Sequence, residues 1–120
     1  MQQLTDGLKK MFTIKGSIWI EHDNHAFIGA GRIVLLERIK EHGSITLAAK
    51  SMKMSYRQAW ELIDSMNRQS DTPLVEAHSG GAGGGGTKIT AEGERVIKVY
   101  KDLNEKFQKF QEAESKKLKF

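Results

Sequence analysis

Gly43-Ser44-Ile45-Thr46-Leu47-Ala48-Ala49-Lys50-Ser51-Met52-Lys53-Met54-Ser55-Tyr56-Arg57-Gln58-Ala59-Trp60-Glu61-Leu62-Ile63-Asp64-Ser65-Met66-Asn67-Arg68-Gln69 contains two short helical patterns, each opened by a serine. The break between them is too short for anything but a tight turn. Ser44 is placed to cap the first helix, which buries Ile45, Ala48 and Ala49, side chains small enough for helices to cross closely. Ser55 is placed to cap the second, and Gln58, three residues on, completes a capping box. The second helix puts Ala59, Leu62, Ile63 and Met66 on one side and polar residues on the other. Two helices joined in this way describe a helix-turn-helix, whose second helix can lie in the major groove of DNA. From Gly43 to Trp60 the basic residues are Lys50, Lys53 and Arg57, with no acidic residue among them, so the positive bias falls on this unit.

Working outward, Ile33, Leu36 and Ile39, with Val34 and Leu35 beside them, predict a helix from Arg32 that ends at His42-Gly43, glycine being the usual residue just past a helix end. Residues 32–69 are thus a helical core. Further upstream, Phe12, Ile14, Ile18 and Ile20 recur at even spacing, the signature of a half-buried strand. His22-Asp23-Asn24-His25 supplies turn chemistry and Ala26-Phe27-Ile28 a returning strand, giving a hairpin over 12–28 that Gly29-Ala30-Gly31 breaks. Residues 1–11 carry only a weak helical pattern.

Downstream, Asp71-Thr72-Pro73 stops the helix. Leu74-Val75-Glu76-Ala77 reads as a strand, followed by the run Gly80-Gly81-Ala82-Gly83-Gly84-Gly85-Gly86 and a second strand, Lys88-Ile89-Thr90. Strand, glycine loop and strand after a helix-turn-helix make a wing over 74–90. Thr90 caps a last helix over 91–118, with Glu92 and Glu94 in its first turn, where the helix dipole favours negative charge. Its stripe of Val96, Tyr100, Leu103, Phe107 and Phe110 alternates spacings of four and three. Phe107 and Phe110 reach roughly 20 Å beyond Val96 at 1.5 Å rise per residue, hard to bury in so small a domain. Tyr100, Leu103, Phe107 and Phe110 are therefore expected to pack on a second copy. The fold class expected is α+β, mainly helical: a winged helix-turn-helix with an N-terminal β-hairpin and a long C-terminal dimerisation helix.

The 120 residues suit a single domain over 1–120, and the 38% of hydrophobic residues allow a modest core. A formal net charge of +4 favours an anionic partner. There is no cysteine, which excludes disulfides, thiolate metal sites and cysteine nucleophiles. No apolar run approaches membrane-spanning length and no signal-peptide block opens the chain, so no membrane partner and a cytoplasmic location are expected.

Ser55, Tyr56, Arg57, Gln58 and Glu61 are the residues expected to face the major groove. Arginine can read guanine bidentately, glutamine can read adenine, and glutamate can accept from cytosine. Thr46, Lys50 and Lys53 are placed to hold the DNA backbone, with Ser44 in the same contact set. Gly83, Gly84 and Gly85 at the wing tip leave a bare backbone that can approach sugar and phosphate, and Lys88 is a better phosphate contact beside them than His78. The glycine run is not a nucleotide-phosphate loop, because Thr87-Lys88 stands where Gly-Lys-Ser/Thr should open a helix, and a strand follows. His22 and His25 stand on a turn without the further ligands a metal needs, and His42 and His78 lie in unrelated elements. No nucleophile–base pair is recognisable, so neither enzyme activity, metal nor cofactor is expected.

The arrangement resembles the amino-terminal DNA-binding domain of the ModE family, bacterial and archaeal molybdate-responsive transcription regulators, and more distantly the winged helix of LysR-type regulators. The residues that carry it are Gly43-Ser44-Ile45 with Ala48-Ala49-Lys50, then Ser55-Tyr56-Arg57-Gln58-Ala59-Trp60, then Met66-Asn67. Leu74-Val75-Glu76, the glycine run and Ile89-Thr90-x-x-Gly93 continue it, in order and spacing over about residues 30–112. The resemblance implies a regulator that dimerises and binds a partly symmetric double-stranded operator. Full-length members sense molybdate with a separate carboxy-terminal domain, which is not expected within these 120 residues, so no oxyanion-binding residue is carried over. Residues 12–28 also look unlike the amino-terminal helix of those regulators. The function expected is that of a dimeric, sequence-specific DNA-binding transcription regulator. The alternative is a winged-helix module that uses the same surface, or the hairpin, to bind another protein without reading DNA.

Overall fold

The computed structural model describes residues 10–79 and 86–120. Elements follow in the order β1 (Trp19–His22), β2 (His25–Gly29), α1 (Ala30–His42), α2 (Ile45–Ser51), α3 (Tyr56–Gln69), β3 (Val75–His78), β4 (Gly86–Ile89) and α4 (Ala91–Ser115). The two sheets are separate antiparallel pairs, β1 with β2 and β3 with β4, on either side of the helices in sequence. This is a winged helix-turn-helix of the α+β class, mainly helical.

Local chemistry sets the helix ends. Leu47 N–H donates to Ser44 Oγ at 3.2 Å at the start of α2. At α3 the capping box is complete: Gln58 N–H donates to Ser55 Oγ at 3.1 Å, and Ser55 N–H donates to Gln58 Oε1 at 3.0 Å. Gly93 N–H donates to Thr90 Oγ1 at the start of α4. There Arg95 also donates to Glu92 and holds its carboxyl below the usual glutamate value. Helix α1 ends on Gly43 in the left-handed region at φ 66°, its N–H returned to Ile39 O.

The core lies where α1 crosses the helix pair. Ile28, Leu35, Leu36, Ile39, Met66 and Leu74 are fully enclosed, and Ala48, Ala49 and Ala59 let α2 and α3 approach closely. Each large aliphatic side chain so enclosed favours folding by about 1.5–3 kcal/mol. Val96, Ile97 and Tyr100 close the same core from α4. Salt bridges from Lys40 to Glu94 and from Lys101 to Glu37 tie α1 to α4 along its exposed edge.

Several expectations need correction. The hairpin strands cover only residues 19–29, and residues 12–18 pair with no strand. That segment runs as an arm along the far half of α4: Ile14 N–H donates to Ser115 Oγ at 2.8 Å and Gln111 Nε2 donates to Ile14 O at 3.2 Å. Phe12, Ile14 and Ile18 are still alternately shielded, so the two-residue period is genuine, but the surface that shields the arm's outer part is a helix. Gly29-Ala30-Gly31 does end the hairpin, since β2 stops at Gly29, but the helix starts two residues before the expected Arg32. Gly29 is itself the N-cap of α1, which begins at Ala30. The outer half of α4 therefore has intramolecular cover that the sequence did not reveal.

Candidate nucleic-acid interface

Between α2 and α3 the chain turns through Met52 and Lys53. Met52 N–H and Met54 N–H both donate to Ala49 O at 3.0 Å, and Lys53 N–H donates to Lys50 O at 3.1 Å. Closing so tight a turn forces Lys53 to φ 56°, a left-handed conformation that costs a residue with a Cβ roughly 1–2 kcal/mol. The turn fixes α3 so that Ala59, Ile63 and Met66 point inward. Tyr56, Arg57, Trp60 and Glu61 are left exposed on α3, as are Thr46 and Lys50 on α2.

The wing is fastened to this unit at two points. Thr87 N–H donates to Gly43 O at 3.0 Å, which anchors β4 on the corner between α1 and α2. A Cβ at Gly86 would stand 2.8 Å from that same oxygen, so the close approach requires glycine. Asn67, near the end of α3, holds β3: its Oδ1 accepts from Leu74 N–H and Val75 N–H at 2.9 and 3.2 Å, and its Nδ2 donates to Val75 O at 2.9 Å. Gly93 supports the base of the wing, where a Cβ would be 2.4 Å from Leu74 O. The other flank of α3 meets the hairpin. Arg32, half-buried and with its pKa lowered by that burial, donates to Phe27 O at 3.2 Å and Ser65 Oγ at 3.1 Å.

The site residues expected from sequence separate into three groups. Thr46, Lys50, Lys53, Tyr56, Arg57, Glu61 and Lys88 are exposed on the helix pair and wing. Ser44, Ser55 and Gln58 spend polar atoms on caps. In particular Gln58 Oε1 accepts from Ser55 N–H, so reading adenine with both ends of its amide would require that capping bond to open. Gly83, Gly84 and Gly85, like the rest of the glycine run up to Gly85, lie outside the described residues. The expected dimer stripe also changes. Tyr100 is 4% exposed and donates its hydroxyl to Ile18 O at 3.0 Å, so it belongs to this chain's own core. The Phe107 ring lies against Gly16 of the arm, whereas Leu103 and Phe110 remain 41% and 55% exposed.

Trp60, Asn67 and Arg32 were not singled out as site residues. Trp60 is 47% exposed one turn beyond Tyr56, and its spacing from Tyr56 was the available signal. Asn67 and Arg32 act through backbone carbonyls of other elements, for which local pattern holds no signal. Among the described residues no cluster of three or more His, Asp or Glu side chains converges as a metal set would, and no helix is long and apolar enough to cross a membrane.

Comparison with known proteins agrees with this geometry. Residues 31–94 match the family described as bacterial regulatory helix-turn-helix protein, lysR family. The chain is 45% identical over 82 residues to the transcriptional regulator ModE of Haemophilus influenzae, covering 68% of this chain and 32% of that protein. It is 42% identical over 87 residues to the molybdenum transport protein ModE of Azotobacter vinelandii, covering 72% of this chain and 32% of that one. With the DNA-binding transcriptional dual regulator ModE of Escherichia coli K12 it shares 45% identity over 74 residues, 62% of this chain and 28% of that protein. The chain thus spans about a third of the length of the relatives it matches. A wing fastened to a helix-turn-helix, with the family model matching residues 31–94, means that the chain belongs to the LysR family of bacterial regulatory helix-turn-helix proteins, with a ModE-like winged-helix DNA-binding domain.

Proposed function

We propose that this chain acts as a homodimeric, cytoplasmic transcription regulator that reads a double-stranded operator with α3 and steadies itself with the wing. The observation that carries the reading is the face of α3 opposite Ala59, Ile63 and Met66, where Arg57 is 88% and Glu61 57% exposed. A helix face so open, on a unit fastened on both flanks, is suited to the major groove. Arg57 is the base-reading residue of choice, since its guanidinium matches the two acceptors of guanine. Thr46, Lys50 and Lys53 stand on the preceding helix and turn, where the backbone would pass, and Lys88 is the wing's phosphate contact.

The test is titration of the full chain with genomic fragments at two salt concentrations, followed by Arg57→Ala on the fragment that binds best. Affinity for DNA should fall steeply with salt, because neutralised phosphates release counterions. Arg57→Ala should cost about 1–3 kcal/mol on the operator and much less on random duplex. Equal losses on both would reduce Arg57 to a phosphate contact. Absence of any preferred fragment would instead favour the protein-binding module.

A further inference from the structure

Of the cations proposed to meet DNA, Arg57 and Lys88 are already paired, and so is Arg68 further along the same side of α3. Arg57 Nε lies 3.1 Å from Glu61 Oε1, Arg68 Nε lies 2.8 Å from Asp64 Oδ2, and Lys88 Nζ lies 3.5 Å from Glu76 Oε1. The first two pairs run along the solvent side of α3, and the third bridges the wing strands, where Glu76 and Lys88 are directly opposed. Lys50 and Lys53, by contrast, form no salt bridge among the described residues.

Stability does not account for the Arg57–Glu61 pair. Exposed pairs of this kind contribute little to folding. In the Arg57–Glu61 pair the cation precedes the acid, the poorer order for a helix. Arg57 also stands in the first turn of α3, where the dipole disfavours positive charge and no acid is present. The recognition surface therefore carries carboxylates that repel DNA, each beside a cation that attracts it.

We propose that Glu61, Asp64 and Glu76 restrain their paired cations from generic phosphate contact, and that Glu61, paired to the base-reading Arg57, is thereby a specificity-determining residue. This rests on the DNA-reading function above. On random duplex, a cation that leaves its carboxylate for a phosphate makes little net gain, and the abandoned carboxylate then faces the phosphate rows. At the operator the exchange is different. A bidentate base contact favours the bound state about five- to a hundredfold, against about two- to fivefold for an exposed pair, so the pair opens where the correct base is present. Glu61 thus lowers non-specific affinity more than specific affinity, a use of repulsion to sharpen choice, whereas Asp64 and Glu76 hold Arg68 and Lys88 back from phosphate on either duplex. Lys50 and Lys53, which have nothing to exchange, supply the sequence-independent hold.

The experiment uses the full chain with Glu61→Gln, Asp64→Asn and Glu76→Gln, singly and together, each preserving side-chain shape. Binding to the selected operator duplex and to a random duplex of equal length is followed by fluorescence anisotropy over a salt series. Each single change should raise random-duplex affinity about two- to fivefold, and the triple about eightfold or more. In Glu61→Gln operator affinity should rise less, so the ratio of the two shrinks, whereas Asp64→Asn and Glu76→Gln should raise both alike. The slope of log affinity against log salt on random duplex should steepen by about 0.9 for each cation released to a phosphate. Unchanged random-duplex affinity and slope in the triple variant would overturn the proposal. A loss of operator affinity in Glu61→Gln, with random binding unchanged, would overturn it for Glu61 and make that carboxylate a direct base contact. Failure of the unsubstituted chain to prefer any operator would condemn the DNA-reading function instead, and that is measured before any substitution is made.

Discussion

At the scale of single residues, Lys53 combines two roles that pull in opposite directions. Its left-handed backbone, φ 56°, is one that glycine adopts without strain, yet its ammonium group is exposed at the turn of the helix pair. Lys53→Gly should relieve about 1–2 kcal/mol of strain and return part of it through the greater entropy of the unfolded chain, leaving a net gain of about 0.5–1 kcal/mol. Urea unfolding measures this directly, and a loss of stability would refute the account of the turn. The same variant should bind random duplex more weakly, since a phosphate contact goes with the side chain.

Among the elements, the joint between α3 and the wing depends on one amide. Asn67 satisfies two backbone donors and one acceptor of residues 74–75, so Asn67→Leu, of similar size, leaves all three without a partner in a half-buried place. A destabilisation of about 2–3 kcal/mol is expected, with hydrogen exchange accelerated in β3 ahead of α1. Exchange that accelerates equally everywhere would show that the wing has no stability separate from the core. How much of each element was legible in the sequence follows from the range of the forces involved. The caps at Ser44, Ser55 and Thr90 and the glycine end at Gly43 are set by neighbours three or four residues away, and each could be read directly. The arm over residues 12–18 could not. Alternating burial reveals that every second side chain is covered, not whether a strand or a helix covers it. Tyr100 shows the same limit, because the spacing of an apolar stripe is identical whether it faces its own domain or a partner. The clamp by Asn67 was not legible either: Asn67 is among the residues that carry the resemblance, but its partners lie beyond a loop and nothing local points to them.

For the whole molecule, the outstanding question is assembly. The longest extent is 74 Å against 29 and 22 Å across, and α4 with its arm accounts for much of that projection. Val99, Leu103 and Phe110 are left exposed on it, at 40%, 41% and 55%. A closed twofold pairing through this face would set two copies of α3 to meet successive major grooves about 34 Å apart. Leu103→Glu combined with Phe110→Glu should then yield folded monomers in light scattering, with preference for a two-half-site operator lost. An unsubstituted chain that is already monomeric at tens of micromolar, with full operator affinity, would exclude the dimer. The arm has a mechanical consequence of its own. Phe12 and Phe120 meet edge to face with ring centroids 5.1 Å apart, so the two ends of the described chain are clasped together at the tip of α4. A pulling force applied at those ends would peel the clasp open, a few contacts at a time, before any tension reached the helix pair. The DNA-reading unit sits behind a mechanical fuse: a tether pulling at Phe12 and Phe120 would strip the arm first and leave α2, α3 and the wing unstrained.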